Sequence, residues 1–296
     1  MVSGAHLPDA DGCLLEELND AAGFYLRGGK LLDAGASGYQ QYEVWDTPQF
    51  GKLFRLDGYF MTSERDEFFY HENLIHVPAV THPAPASALV IGGGDGGSAE
   101  ELFKHPTMKS VVLVELDAKV IEIARIHLQA VHRGALDDSR LELRIEDGLN
   151  YVRKVAPATD RRFDLIVLDL TDPIGPAEAL YSAEFFKDCK ALLTPQGAIT
   201  LHIGAPIFQP QRLLQIRDNL RAAFRGVFPY FMYIPLYGSQ WGMACASDGL
   251  DPTTISPAEV DHRLAVRGIR DLDYYNGAIH CAQFALPNYL RRLLQG

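Results

Sequence analysis

The chain has 296 residues, enough for one large domain or for one domain with a small appendage. Of these residues, 47% are hydrophobic and 22% are charged, which is typical of a globular protein with a substantial core. Its formal net charge of −11 disfavours a nucleic-acid partner because acidic side chains repel phosphate groups, although acidity also serves solubility alone. No apolar run approaches the roughly 18 residues that cross a bilayer. Residues 1–11 lack a basic segment followed by an apolar one, so we expect no secretory signal. We therefore expect a cytoplasmic protein without a membrane partner.

The N-terminal part, to about Met61, has short strand-like segments. Residues 39–45 and 52–56 mix aromatic and β-branched side chains with polar ones, and Thr47-Pro48 and Asp57-Gly58 are turn signals. This pattern predicts a small antiparallel β-domain over residues 1–62, followed by a larger domain over residues 63–296.

From Ser87 onward, strand-like and helical patterns alternate. The predicted strands are 88–91, 110–115, 141–145, 163–168, 197–203, 230–234 and 243–247. Helical periodicity separates the first six of them. Alternation of this kind predicts a Rossmann-like α/β fold, with a seven-stranded, mainly parallel sheet and helices on both faces.

A glycine-rich segment follows the first of these strands. Gly92, Gly94 and Gly97 match the G-x-G-x-x-G pattern, which lets the backbone turn tightly and a ligand approach closely. Glu115 ends the next strand, 18 residues after Gly97, where a carboxylate binds ribose hydroxyls in nucleoside-binding folds. A purely structural turn remains the alternative interpretation.

Two further acids refine the prediction of a nucleoside site. Asp147, before Gly148, follows the third strand and either accepts a hydrogen bond from an adenine amino group or caps a helix, two compatible roles. Asp95, inside the glycine loop, would repel a pyrophosphate or a carboxylate at close range. It favours a donor that ends in an ammonium group, unless its side chain simply points to solvent.

Asp169 and Asp172 lie just past the fourth strand. Ligands of open α/β sheets bind at the carboxyl ends of the strands, so both acids are expected to face the cleft. Capping of the next turn is the alternative. Pro173 and Gly175 break regular structure, so residues 174–181 are predicted to form a loop that covers the site.

The chain resembles the spermidine synthase family, the polyamine aminopropyltransferases. The resemblance extends over about residues 37–292. It depends on segments 62–72 (TSERDEFFYHE), 91–97 (IGGGDGG), 169–177 (DLTDPIGPA), 274–276 (YYN) and 284–287 (FALP). It implies an enzyme that transfers the aminopropyl group of decarboxylated S-adenosylmethionine, a co-substrate, without a cofactor or a metal. It also implies assembly as a homodimer or homotetramer.

The resemblance implies roles at the acceptor end. Asp169 would be the base that deprotonates the attacking amine, and Asp172 would hold that amine. Tyr70 and Tyr237 would line the amine channel, although tyrosines at these positions would otherwise be interpreted as packing residues. The remaining residues expected at the acceptor are His71 and His202.

The resemblance also implies a donor site. Asp95 would bind the ammonium of the aminopropyl group, Glu115 the ribose and Asp147 the adenine, while Gln40 would help to hold the donor. The other residues expected at the donor are Gly92, Gly94, Gly97, Gly148 and Pro176.

The chain departs from the family pattern at the acceptor end. Segment 202–206 (HIGAP) lacks the glutamine and the acid that many spermidine synthases have there, and Gly238-Ser239-Gln240 replaces proline-serine-glycine. Putrescine is the first expected acceptor, giving spermidine, and spermidine is the second, giving thermospermine or spermine. An S-adenosylmethionine-dependent methyltransferase and a non-catalytic nucleoside-binding protein are the rival hypotheses. His71 and His76 are five residues apart, which disfavours a helical metal pair.

Overall fold

The computed structural model describes residues 12–173 and 175–295, apart from the side chain of Pro176. The predictions that concern residues 1–11, Ile174 and the Pro176 side chain therefore lie outside the described residues. Among the helices that the structure describes, none has both the length and the apolar character required to cross a bilayer.

Two small antiparallel sheets form the N-terminal part. The strands are β1 (Cys13–Asn19), β2 (Ala22–Arg27), β3 (Lys30–Ala36), β4 (Gln41–Thr47), β5 (Gly51–Leu56) and β6 (Tyr59–Ser63). Strands β1 and β2 pair as a hairpin, and the other four pair in chain order. Asp57 and Gly58 form the predicted turn between β5 and β6, with φ angles of 49° and 85°. The domain boundary after residue 62 stays a prediction, since Phe54 and Leu56 join the core of the larger sheet.

The large sheet confirms the predicted Rossmann-like fold. Its seven strands are β7 (Ser87–Gly92), β8 (Ser110–Glu115), β9 (Leu141–Ile145), β10 (Phe163–Asp169), β11 (Leu193–Gly204), β12 (Gly226–Ile234) and β13 (Ser239–Ser247). They lie in the order β12-β13-β11-β10-β7-β8-β9. The pairs that include β13 are antiparallel, and the others are parallel.

Helices cover both faces of this sheet. The α-helices are α1 (Glu67–Thr81), α2 (Gly97–Phe103), α3 (Ala118–His127), α4 (Gln129–His132), α5 (Gly148–Asn150), α6 (Ala183–Ala191), α7 (Pro210–Ala223), α8 (Pro257–Val266), α9 (Gly277–Gln283) and α10 (Asn288–Gln295). Shorter 3₁₀ turns cover Ala135–Asp137 and Pro157–Thr159, and a π-turn, Tyr151–Val155, continues α5. Helix α1 is buried along most of its length and packs against α2.

The segment predicted as a loop that covers the site, 174–181, forms a 3₁₀ helix over Gly175–Tyr181 instead of a loop. Its residues Ala177, Ala179 and Leu180 line the cavity, as a covering segment would. The Tyr181 side chain is buried, and its hydroxyl donates a hydrogen bond to the Thr171 carbonyl at 3.0 Å. This hydrogen bond holds the segment against the end of β10, because breaking it would leave a buried hydroxyl without a partner at a cost in free energy.

Candidate active site

A cavity of about 370 Å³ opens between the four-stranded N-terminal sheet and the carboxyl ends of β7, β8 and β10. Residues lining it include Gln40, Tyr70, His71, Gly92, Gly94, Asp95, Glu115, Asp147, Gly148, Asp169, Asp172, His202 and Tyr237, all of them predicted site residues. The backbone of Gly97 packs against the imidazole ring of His71. This edge of the sheet is the one at which open α/β folds bind ligands.

Close packing explains the three glycines of the predicted motif. A Cβ atom on Gly92 would lie 2.2 Å from the carbonyl oxygen of Asp169, and one on Gly94 would lie 2.8 Å from the Glu115 carboxylate. On Gly97, it would lie 2.3 Å from the imidazole of His71. The loop is therefore pressed against three site residues, which only glycine permits. We call this end of the cavity, with Asp95, Glu115 and Asp147, the glycine-loop side.

Asp169 ends β10 at the centre of the cavity. The Ser98 hydroxyl donates a hydrogen bond to its Oδ2 at 2.7 Å, and the Tyr70 hydroxyl also bonds this carboxylate. Burial raises the pKa of Asp169 to about 6, against the opposing effect of the positive charge on His71. The group is therefore a stronger base than an exposed aspartate.

His71 lies among three carboxylates. Its Nδ1 is 2.8 Å from Glu67 Oε2, and its Nε2 is 3.6 Å from Asp95 Oδ2 and 3.8 Å from Asp169 Oδ2. Burial alone would lower the pKa of His71, but Asp95, Glu67 and Asp169 outweigh that effect and raise it to about 10. The structure places His71, which we predicted at the acceptor, between the glycine loop and the acceptor residues Asp169 and Tyr70, and its role there stays a prediction.

Sequence reasoning did not predict that these three side chains meet. One nitrogen of His71 and one carboxylate oxygen from each of Asp95 and Asp169 lie within 4.8 Å of one another. The residue compared with His71 in the sequence, His76, lies elsewhere and bonds Glu101 and His105 at 2.9 and 3.0 Å. Only the fold brings Asp95 and Asp169 to His71, so local spacing gave no signal.

Further acids line the rest of the glycine-loop side. Burial raises the pKa of Glu115 to about 7, while backbone N–H groups, with Asp117 first among them, oppose the shift. Asp117, which we did not predict, accepts a hydrogen bond from Gln40 Nε2 at 3.1 Å. Asp147 Oδ1 accepts the Asn150 N–H at 3.0 Å, so the predicted helix cap is present. A Cβ on Gly148 would lie 2.5 Å from Ile91.

Aromatic rings form the middle of the cavity. The rings of Tyr70 and Tyr237 meet edge to face with centroids 6.2 Å apart, and Trp241 lies 4.8 Å from Tyr237. The Tyr237 hydroxyl donates to the Met61 carbonyl at 2.8 Å. Burial raises the pKa of both tyrosines well above the usual value, so they stay neutral. Trp241 was not predicted from the sequence.

His202 forms part of the cavity wall. Its Nε2 is 3.0 Å from the Leu170 carbonyl oxygen and 2.7 Å from the Tyr181 hydroxyl. Burial lowers the pKa of His202, so the ring is neutral. It ties the end of β10 to the 3₁₀ helix Gly175–Tyr181.

The far end of the cavity carries charged groups from distant segments. Asp172 Oδ2 accepts hydrogen bonds from the Arg212 guanidinium and from Gln209 Nε2, the latter at 3.3 Å. Glu16 of strand β1 lines the same end, and burial raises its pKa to about 8. Neither Glu16 nor Arg212 was predicted. We call this end, with Asp172 and Glu16, the hairpin side.

The model of the spermine/spermidine synthase domain matches residues 67–253 of this chain. The chain belongs to the spermine/spermidine synthase family. A polyamine aminopropyltransferase of Nitrosomonas europaea is 47% identical over 285 residues, covering 96% of this chain and 86% of that protein. One of Moorella thermoacetica is 41% identical over 258 residues, covering 87% of each.

Solved structures agree with this assignment. A crystal structure of spermidine synthase with the transition-state analogue AdoDATO aligns with a TM-score of 0.88 and 33% identity, covering 98% of this chain and 96% of that one. The spermidine synthase of Thermotoga maritima aligns with a TM-score of 0.84 and 32% identity, covering 98% and 95%. The predicted family, fold and enzyme class, aminopropyltransferase, are confirmed.

Proposed function

We propose that this aminopropyltransferase moves the aminopropyl group of decarboxylated S-adenosylmethionine to putrescine, giving spermidine and methylthioadenosine, with Asp169 as the general base. The main supporting observation is that the carboxylates of Asp95 and Asp169 both face His71 Nε2, at 3.6 and 3.8 Å. They lie in the cavity between the glycine loop and the aromatic rings. Such a pair of carboxylates suits a donor that ends in an ammonium group.

The glycine-loop side supports the donor half of the proposal. Glu115 would accept from the ribose hydroxyls, and Asp147 and Gly148 would lie beside the adenine. The Asp95 carboxylate would then bind the donor's ammonium. Intact S-adenosylmethionine carries a carboxylate at that end, which Asp95 would repel, so a methyltransferase fits less well.

The chemistry needs one proton transfer. An alkyl amine with a pKa of about 10.4 arrives protonated and cannot attack. Asp169 would take its proton, and the free electron pair would attack the methylene carbon beside the sulfonium. The carbon–sulfur bond breaks, its electrons stay on sulfur, and methylthioadenosine leaves as a neutral molecule. Alignment of the two substrates by Tyr70, Tyr237 and Asp172 would supply most of the remaining acceleration.

A substrate panel tests the proposal. Decarboxylated S-adenosylmethionine is offered with putrescine, cadaverine, agmatine and spermidine in turn, and each product is identified by mass. We expect the highest kcat/KM with putrescine, and one methylthioadenosine per spermidine formed. Preference for spermidine would move the acceptor assignment to the longer amine. Methyl transfer from intact S-adenosylmethionine, without use of the decarboxylated donor, would overturn the proposal. Assembly as a homodimer or homotetramer also stays a prediction, which light scattering tests.

A further inference from the structure

His71 is fixed in one place by its surroundings. The side chain is buried on helix α1, with 2% of its surface exposed. The Tyr70 ring packs edge to face against it, at 5.3 Å between centroids. Gly97 contacts the ring so closely that a single added Cβ would collide with it. The imidazole therefore has little freedom to move when a ligand enters.

The charges that face His71 come from every element around it. Helix α1 contributes Glu67, whose Oε2 is 2.8 Å from Nδ1, and the residue before the helix, Asp66, adds a more distant negative charge. The glycine loop contributes Asp95, and strand β10 contributes Asp169.

Two further groups complete these surroundings. Arg133 lies beyond Glu67, with its Nη2 3.5 Å from Glu67 Oε1, and its side chain is 44% exposed. Tyr70, the nearest phenol, is neutral. Positive charge on the imidazole is thus balanced by carboxylates on both of its nitrogens.

We propose that the His71 imidazolium supplies, in the empty cavity, the positive charge that the donor's ammonium group supplies in the complex, and that the ring stays in place but loses its proton to solvent when the donor binds. The inference rests on the proposed function, because it requires a donor that ends in an ammonium group. His71 is then a positioning residue for the donor.

The His71 imidazolium and the donor's ammonium group cannot both lie beside Asp95 and Asp169 without strong electrostatic repulsion. The donor's ammonium would contact Asp95 and Asp169, the two carboxylates that face Nε2, so both positive charges would lie within a few ångström in a buried site. Loss of the Nε2 proton removes the repulsion and leaves a lone pair that accepts a hydrogen bond from the ammonium. The Nδ1–H group stays bonded to Glu67, which fixes the required tautomer.

The balance between burial and charge makes the switch feasible. Burial favours the neutral ring, and the carboxylates alone keep the pKa of His71 at about 10 in the empty site. An ammonium group at Asp95 and Asp169 opposes the effect of these two carboxylates, while Glu67 remains bonded to Nδ1, so the pKa of His71 falls when the donor binds. One proton leaves for each donor bound and returns when the products leave, so the overall reaction is unchanged.

Calorimetry tests the inference on the full chain. Decarboxylated S-adenosylmethionine is titrated at pH 7.5 into wild type and His71→Gln, with a chelator present, in two buffers of different ionisation enthalpy. The difference in heat gives the number of protons released. We expect wild type to release about one proton more than the variant, and its donor affinity to gain about tenfold more per pH unit. Methylthioadenosine lacks the ammonium group, so its binding should release the same number of protons from wild type and from His71→Gln.

Glu115 and Asp169 also have raised pKa values, so proton release that is common to wild type and His71→Gln is attributed to these two carboxyl groups. Equal release from wild type and His71→Gln would overturn the inference. Should the variant not fold, the ¹⁵N resonances of the wild-type His71 ring give the same answer: they should change from imidazolium to neutral imidazole when the donor is added, and unchanged resonances would refute it. Failure of the donor to bind at all would instead count against the proposed function.

Discussion

The two ends of the cavity are built in different ways. On the glycine-loop side, backbone atoms and side chains approach so closely that Gly92, Gly94 and Gly97 each exclude a methyl group. The hairpin side is assembled from side chains such as Glu16 and Asp172, contributed by segments far apart in the chain. We infer that the first end tolerates almost no substitution, whereas single residues can retune the second.

The largest effect is expected between the two ends, at Asp169. Asn at this position keeps the shape and the hydrogen bond from Ser98 but cannot accept a proton from an ammonium group. We expect Asp169→Asn to lower kcat by about 10²- to 10⁴-fold, the range for loss of a general base. Steady-state kinetics with putrescine measure the loss.

A binding control separates chemistry from folding in this variant. Methylthioadenosine should bind Asp169→Asn as it binds the wild type, because the nucleoside contacts are unchanged. Turnover near the wild-type rate would remove Asp169 from the role of base.

The second effect concerns the rigidity of the glycine-loop side. In Gly97→Ala, the new methyl group would lie 2.3 Å from His71, so either the ring or the loop must move. Overpacking of this kind costs about 1–3 kcal/mol, so donor affinity should fall about 5- to 150-fold. Calorimetry with the donor measures the change.

Gly38→Ala is the matched control. A methyl group added to Gly38 would have no atom of the described residues within 4 Å, and this position does not require a positive φ. The donor affinity of Gly38→Ala should therefore equal that of the wild type. Equal affinities of the two variants would contradict the idea that close packing defines this end of the cavity.

The difference between the two ends of the cavity also explains which site residues could be predicted from the sequence. The seven strands, the glycine motif and the acids at the strand ends are local patterns, and these predictions held for the fold. Trp241, Arg212 and Glu16 have no local motif, because they reach the cavity only through strand pairing and helix packing. Helix α1 was also not assigned, since its almost uniform burial leaves no amphipathic pattern to detect.

The third effect is a pH dependence set by burial of Asp169. Its pKa is raised from 3.8 to about 6, so the carboxylate is protonated, and inactive as a base, below that pH. We expect kcat/KM for the acceptor, at saturating donor, to fall about tenfold per pH unit below about pH 6. Donor saturation keeps His71 in its donor-bound state throughout the measurement.

Ser98→Ala sharpens this test. The Ser98 hydroxyl stabilises the ionised carboxylate, so its loss should raise the pKa of Asp169 and shift the acid limb to higher pH. If the acid limb of the pH profile stays at the same pH in Ser98→Ala, the ionisation belongs to a group other than Asp169.

The smallest effect is expected at Arg212, on the hairpin side. Its guanidinium neutralises Asp172, the carboxylate proposed to hold the acceptor amine, and both side chains are about a quarter exposed (28% and 25%). A partly exposed ion pair contributes up to about 1 kcal/mol, so Arg212→Leu should lower the KM for putrescine up to about fivefold. Donor affinity should not change, because Arg212 lies outside the glycine-loop side. Arg212→Lys keeps the charge and should resemble the wild type. A higher KM in Arg212→Leu would mean that Arg212 serves to orient Asp172 for the amine, and that this end of the cavity is as constrained as the other.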